Sequence, residues 1–377
     1  MAGGRATFFA TCAPGIEPIL HAEARALKLG RTERQVGGVR FEGTLRDAWR
    51  ANLHLRTAIR VLLRLSRFEA RTGDELYDGV QEFDWRRFLT PDSTLLVSAQ
   101  SKESDLDHSL FIEQRTKDAI VDQFASRDGR RPTVDKESPD LVVHTHFWRD
   151  RCTLSVDTSG MSLHKRGWRQ FQGQAPLSET LAAAIVLLSD WDRRAPFLDP
   201  FCGSGTLLIE AGLIAKGVPP GAFRHFAFER FPGHDDRAWE KMRSDALNDV
   251  KAPRKLTVRG AELDPVTLRG AQENIEAAGL EDLVAVEEGS ALEFPFKSGW
   301  NAWVVTNPPY GERIGDSDQL RDLYSDFGEI LRERCGGYKA SVLSGNPSLS
   351  RALGIKPRGV SDLFNGSIPC ELLHLEP

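Results

Sequence analysis

The chain has 377 residues, 40% of them hydrophobic and 27% charged, with a formal net charge of −5. Wholesale disorder and fibrous structure are excluded, and the length suggests about two to three domains. No apolar run approaches the ~20 residues of a membrane helix and no secretory apolar segment follows Arg5, so a cytoplasmic protein with no membrane partner is expected. Cys12, Cys152, Cys202, Cys335 and Cys370 are odd in number, scattered and never spaced as CxxC. That spacing argues against disulfides and against zinc, and no metal is expected. Residues 1–170 carry 27 Lys and Arg against 24 Asp and Glu, whereas residues 171–377 carry 22 against 30. The mildly basic front half permits a nucleic-acid partner without requiring one.

Residues 6–10 read as a strand, 16–29 as a helix ending at Gly30, 39–41 as a strand, 45–53 as a helix and 56–66 as a strand. A strand over 95–99, a helix over 109–124 and strands over 141–147 and 152–157 follow. This order fits a small α+β region of ferredoxin-like character. Residues 159–176, with Gly160, Gly167, Gly173 and Pro176, read as a linker. Its run Lys165, Arg166, Trp168 and Arg169 suits phosphate contacts and stacking on an unpaired base; a charged linker with a packed tryptophan explains it equally well.

From residue 177 the pattern alternates. Helices over 177–189, 206–216, 265–278 and 319–334 are interleaved with strands over 196–198, 256–262, 283–287, 302–306 and 340–344, and a long insertion spans 218–255. Such alternation predicts a parallel sheet with helices on both faces. The turn Phe364-Asn365-Gly366-Ser367 before a last strand over 370–375 predicts that this final strand is reversed.

Two places carry chemistry. Asp199-Pro200-Phe201-Cys202-Gly203-Ser204-Gly205-Thr206 follows a strand and opens a helix, so its glycines let a ligand approach the backbone. Leu208 stands where a dinucleotide loop has its third glycine, and no lysine follows as in a Walker loop. Asp199 instead suits a ligand bearing an ammonium or sulfonium group; a plain structural turn is the alternative. Glu262 and Asp264 close the next strand, where ribose hydroxyls are held in doubly wound folds, although Asp264 before Pro265 also suits a helix N-cap. The second place is Asn307-Pro308-Pro309-Tyr310, directly after the strand Trp303-Val304-Val305. Two prolines fix the backbone and remove two donors. Acceptors then point outward with an aromatic ring beside them, a device for an amino group on a planar ring.

Together these two motifs resemble class I S-adenosylmethionine-dependent methyltransferases that act on exocyclic amines of bases. More narrowly, Asn307 to Arg313 and Phe231-Pro232-Gly233-His234-Asp235-Asp236 resemble the family of the guanine-N2 half of bifunctional bacterial 23S ribosomal RNA methyltransferases. Lys117 to Asp122, Arg131-Pro132 and Leu163 to Arg169 are similar to that family's THUMP domain and linker. The resemblance implies a ferredoxin-like piece at residues 1–55, a THUMP RNA-binding domain at 56–158, a basic linker at 159–176 and a Rossmann-like methyltransferase domain at 177–377, with the family's second methyltransferase half absent from this chain. It implies S-adenosylmethionine as cofactor, lined by Asp199, Phe201, Gly203, Gly205, Thr206, Glu262, Leu263, Asp264, Ser290 and Ala291. Ser290 stands where many relatives carry an acid for the adenine amino group. Asn307, Pro308, Pro309 and Tyr310 would hold the target guanine, and Lys165, Arg166, Trp168, Arg169 and Arg313 would meet RNA. The expected activity is RNA guanine-N2 methylation, with 23S rRNA or a pre-ribosomal particle as substrate. A tRNA guanine-N2 enzyme, an adenine-N6 enzyme and a non-catalytic ribosome assembly factor are the competing readings. A nucleotide-dependent oxidoreductase is disfavoured by Asp199 and Leu208.

Overall fold

The computed structural model describes residues 4–173, 176–251, 255–310 and 317–377. The chain forms two compact units. One comprises residues up to Thr11, His21–Leu163 and Arg224–Ser244; the other comprises Cys12–Leu20, His164–Phe223 and the chain from Asp245 onward.

The first unit is built on one eight-stranded sheet. Its strands are β1 (Ala6–Thr11), β2 (Thr32–Gln35), β3 (Gly38–Gly43), β4 (Arg60–Glu69), β5 (Thr94–Lys102), β6 (Thr133–Val134), β7 (Leu141–Trp148) and β8 (Arg151–Asp157), in the order β2-β3-β1-β4-β8-β7-β5-β6. Helices α1 (Glu17–Ala26), α2 (Leu45–His54), α3 (Gly73–Gln81) and α4 (Ser109–Asp128) complete this half of the sequence. β1 buries alternate residues, and Phe8 stacks on Phe41 of β3 with ring centroids 5.2 Å apart. β4 pairs antiparallel with β1 and with β8, so the ferredoxin-like and THUMP-like stretches share one sheet. β4 starts at Arg60 rather than at 56 because the N–H groups of Arg56 and Thr57 go to the Glu23 carboxylate, at 2.9 and 3.1 Å. α3, absent from the sequence reading, is launched by a capping box: Thr72 Oγ1 accepts from Glu75 N, and Glu75 accepts from Thr72 N.

The insertion also contributes to this unit. Trp49 of α2 packs against Phe228, His234 and Trp239, at centroid distances of 5.6, 4.9 and 6.3 Å. Trp239 lies on α7 (Asp236–Asn248), a helix the sequence pattern did not disclose.

The second unit carries seven strands: β9 (Phe197–Asp199), β10 (Val258–Glu262), β11 (Val284–Glu288), β12 (Trp303–Thr306), β13 (Lys339–Ser344), β14 (Gly359–Asn365) and β15 (Ile368–Leu375). Their order is β11-β10-β9-β12-β13-β15-β14. The pairings from β11 through β13 are parallel; β15 is antiparallel to both β13 and β14, which is the reversed last strand the turn signal predicts. Helices α5 (Glu179–Leu188), α6 (Thr206–Lys216), α8 (Pro265–Ala277), α9 (Ser317–Arg334) and α10 (Pro347–Ala352) accompany them. β9 and β10 run nearly buried on both faces, as parallel strands under helices do. Strand order reverses at β9 and β12. Ligands of open α/β sheets bind outside the carboxyl ends of the strands at such a switch point.

Candidate functional site

The loop after β9 turns on two left-handed glycines, Gly203 at φ +53° and Gly205 at φ +81°, where any side chain would be strained. Gly205 then caps α6, whose first N–H groups face the loop. At the strand end Asp199 is 1% exposed. Its Oδ1 accepts from Phe201 N at 3.2 Å and from Thr306 Oγ1 at 2.6 Å. Among the described residues no cation pairs with it. Burial pushes the Asp199 carboxyl up to about 7, and the nearby Glu262 charge adds to the rise. A buried carboxylate without a positive partner fits a cationic ligand, which would relieve its desolvation. The Phe201 ring points elsewhere, edge-on to Phe327 of α9 at 5.1 Å. Cys202 is buried and its thiol is pushed up by desolvation, so it is no nucleophile at neutral pH.

At the end of β10, Glu262 is partly buried and its Oε1 accepts from Asp264 N at 2.9 Å. Asp264 is the N-cap of α8, with Oδ2 accepting from Thr267 N at 2.8 Å, and Leu263 is exposed. Ser290 caps the short turn Ala291–Glu293 by accepting from Leu292 N at 3.2 Å. Gly260 has a packing role not read from the sequence: a methyl there would stand 2.5 Å from Leu208 Cδ1 and 2.8 Å from Cys202 Cβ.

The end of β12 is the neighbouring strand terminus. Thr306 is buried, and its hydroxyl, bonded to Asp199, ties this terminus to the glycine loop. The next residue, Asn307, has a solvent-shielded Oδ1 with no hydrogen-bond partner among the described residues. Pro308 is buried, Pro309 and Tyr310 partly so. The Tyr310 ring lies on Gly345, where a methyl would come within 2.7 Å of ring carbons. Asn365 Nδ2 donates to the Tyr310 hydroxyl oxygen at 2.8 Å, with Cys370 Sγ at 3.7 Å. Burial holds this phenol well above its ordinary value, so it stays protonated. Thr306, Gly345 and Asn365 escaped the sequence reading. Asn365 was visible only as a turn residue, and Thr306 only as the last position of a strand.

The basic linker needs correction. Arg166 is 2% exposed and pairs with buried Glu210 at 3.3 Å, and Trp168 is also 2% exposed. Arg169 pairs with Glu179 at 2.8 Å and stacks over Trp168. These three side chains face the interior of the second unit, where the Glu210 and Glu179 carboxylates compensate the two guanidinium charges. They do not present themselves to RNA. Lys165 is exposed. Arg313, with Gly311 and Glu312, lies outside the described residues. Among the described residues no His, Cys, Asp or Glu cluster is arranged to hold a metal, and no helix is long and apolar enough to cross a membrane.

Residues 166–374 match the RMKL-like methyltransferase domain, residues 7–62 the RlmL ferredoxin-like domain and residues 70–157 the THUMP domain. The chain is 41% identical over 372 residues to the ribosomal RNA large subunit methyltransferase K/L of Methylococcus capsulatus, covering 97% of this chain and 50% of that protein. The chain therefore spans about half the length of the curated relatives it matches. Among solved structures, SMU.472, described as a candidate methyltransferase and crystallised with SAH, superposes with a TM-score of 0.90 at 32% identity, covering 99% of this chain and 98% of the other. A Listeria monocytogenes protein, described by prediction as an N6-adenine-specific DNA methylase, superposes at 0.89 with 32% identity, covering 99% and 96%.

Proposed function

This chain belongs to the RMKL-like methyltransferase family, and we propose that it methylates the N2 amine of a guanine in RNA of the large ribosomal subunit. Its cofactor is S-adenosylmethionine, which supplies a methyl group on a sulfonium leaving group. The observation that carries the reading is the shielded Oδ1 of Asn307, without a partner among the described residues and one residue from the hydroxyl that holds Asp199.

The residues divide the work as follows. Asp199 sets a buried negative charge against the cationic cofactor, the Gly203–Gly205 turn lets it approach the backbone, and Glu262 takes its ribose hydroxyls. Thr206, Leu263, Asp264, Ser290 and Ala291 border it, Asp264 and Ser290 chiefly through the turns they cap. Asn307 Oδ1 and the Pro308 carbonyl accept the two N–H bonds of the target amine. That amine's lone pair is delocalised into the ring; acceptors on its hydrogens localise it and stabilise the positive charge that develops on nitrogen. Tyr310 offers a ring face to fix the base plane. The remainder is orientation of the amine in line with the methyl. A paired guanine must be flipped out first, at a cost of a few kcal/mol.

The test is methyl transfer from labelled S-adenosylmethionine to deproteinised 23S rRNA and to tRNA, both from cells lacking this protein, with nucleosides identified by mass and Asn307→Ala run alongside. N2-methylguanosine in 23S rRNA, lost in the variant, is expected. The same product in tRNA would move the substrate; N6-methyladenosine, the chemistry named for the Listeria relative, would overturn the guanine assignment. Cofactor binding without transfer to either RNA would point to a pre-ribosomal particle. Failure to bind the cofactor would favour an assembly factor.

A further inference from the structure

Residues 164–173 belong to the second unit, and two side chains bind this segment to the glycine loop. Arg169 spreads its guanidinium over several acceptors. Nε donates to Glu179 Oε1 at 2.8 Å, Nη2 to the Leu177 carbonyl and to Thr206 Oγ1, each at 3.1 Å, and Nη1 to Ser204 Oγ at 3.4 Å. Asn274 of α8 is fully buried. Its Oδ1 accepts from Gln170 N at 2.7 Å and Phe171 N at 2.9 Å, while Nδ2 donates to the Phe171 carbonyl at 3.0 Å and the Ser204 carbonyl at 3.1 Å. All four hydrogen-bonding positions of that amide are used. The Phe171 ring is pressed on Gly270 of α8, where a methyl would stand 2.1 Å from ring carbons.

Ser204 is thus held twice, by its hydroxyl from Arg169 and by its carbonyl from Asn274. It sits between the two left-handed glycines of the loop. A glycine-flanked turn has many unbound shapes, and binding through its backbone requires one of them. We infer that Arg169 and Asn274 are positioning residues that pre-organise the glycine loop for S-adenosylmethionine, so that the segment 164–173 sets cofactor affinity. This rests on the loop being the cofactor loop, as proposed above.

Two variants separate positioning from packing. Arg169→Lys keeps a positive charge for Glu179 but cannot reach Ser204, Thr206 and Leu177 together. Asn274→Asp keeps the acceptor for Gln170 and Phe171 and removes both donors. SAH binding is measured by titration calorimetry on the full chain. Stoichiometry counts the folded molecules and Kd reports on those alone. For each variant Kd is expected to rise about tenfold with unchanged stoichiometry. KM for S-adenosylmethionine should rise in step, while kcat and KM for RNA hold. Native Kd in both variants, with only stoichiometry or melting temperature reduced, would overturn the inference and leave the two residues as packing. If the native chain bound no SAH, the cofactor-loop assignment would fall and take this inference with it.

Discussion

The loops after β9 and β12 end neighbouring strands, with Phe197 opposite Trp303 and Leu198 opposite Val304, yet they are held in opposite ways. The glycine loop is held at its centre: Arg169 and Asn274 grip Ser204, and Asp199 Oδ1 takes two donors. The Asn307 loop is anchored at its ends, by Thr306 on one side and by Tyr310 on Gly345 and Asn365 on the other, and leaves an acceptor open between them. An unsatisfied buried acceptor costs ~1–3 kcal/mol. Such a position suits a donor from outside the chain, as the proposed function requires. On the proposed function, the first loop would hold the cofactor and the second would receive the target amine.

Removing the open acceptor should have the largest effect. Asn307→Ala is expected to lower methyl transfer by about 10²–10³-fold while SAH affinity holds, checked by single-turnover transfer and calorimetry. Equal losses in both would erase the distinction between the loops. Next comes Asp199→Asn, expected to weaken SAH binding by about 10–100-fold through loss of a charge-assisted contact.

The same residue sets a pH dependence. The ammonium group of SAH needs the ionised carboxylate, so native SAH affinity should fall about tenfold per pH unit below about 7 and level off above it, with Asp199→Asn flat. The stability effect in the ligand-free protein has the opposite sense. Its carboxyl is raised from 3.8, so its contribution is complete below that value and is lost as pH climbs through about 7. Melting curves across that window check the sign. Thr306→Val removes a donor that lowers the Asp199 carboxyl, so the binding profile should move to higher pH and affinity near neutrality fall about fivefold. The smallest effect is expected for Asn365→Ala, which releases the Tyr310 hydroxyl. We expect kcat/KM for RNA to drop about 3–10-fold with SAH affinity unchanged, measured by steady-state transfer.

Much of the second unit is readable from sequence because period and punctuation agree there: apolar strands, capped helices, a glycine turn, two prolines and a hairpin signal. Its reversed β15 could be placed from Asn365-Gly366 alone. What could not be read is who bonds to whom across the sheet. Thr306 is an ordinary strand residue until its register brings it to Asp199. Arg166, Trp168 and Arg169 look like surface recognition because composition carries no sign of burial; their partners, Glu210 at 44 residues from Arg166 and Glu179 at 10 from Arg169, sit on apolar helices. α7 was missed because its pattern shows a single buried anchor, Trp239, and that anchor belongs to a cluster begun by Trp49.

That cluster bears on how the protein is made. Trp49 emerges from the ribosome long before Phe228, His234 and Trp239, and of the second unit's strands only β9 lies between them in sequence. The first unit cannot complete its aromatic core until Trp239 has been synthesised, when β9 has been made but its partners β10 and β12 have not. Contacts of such sequence separation close slowly. The first unit therefore waits on residues 224–244 before it can mature, and a nascent chain halted before residue 228 should expose Trp49 to proteases and chaperones.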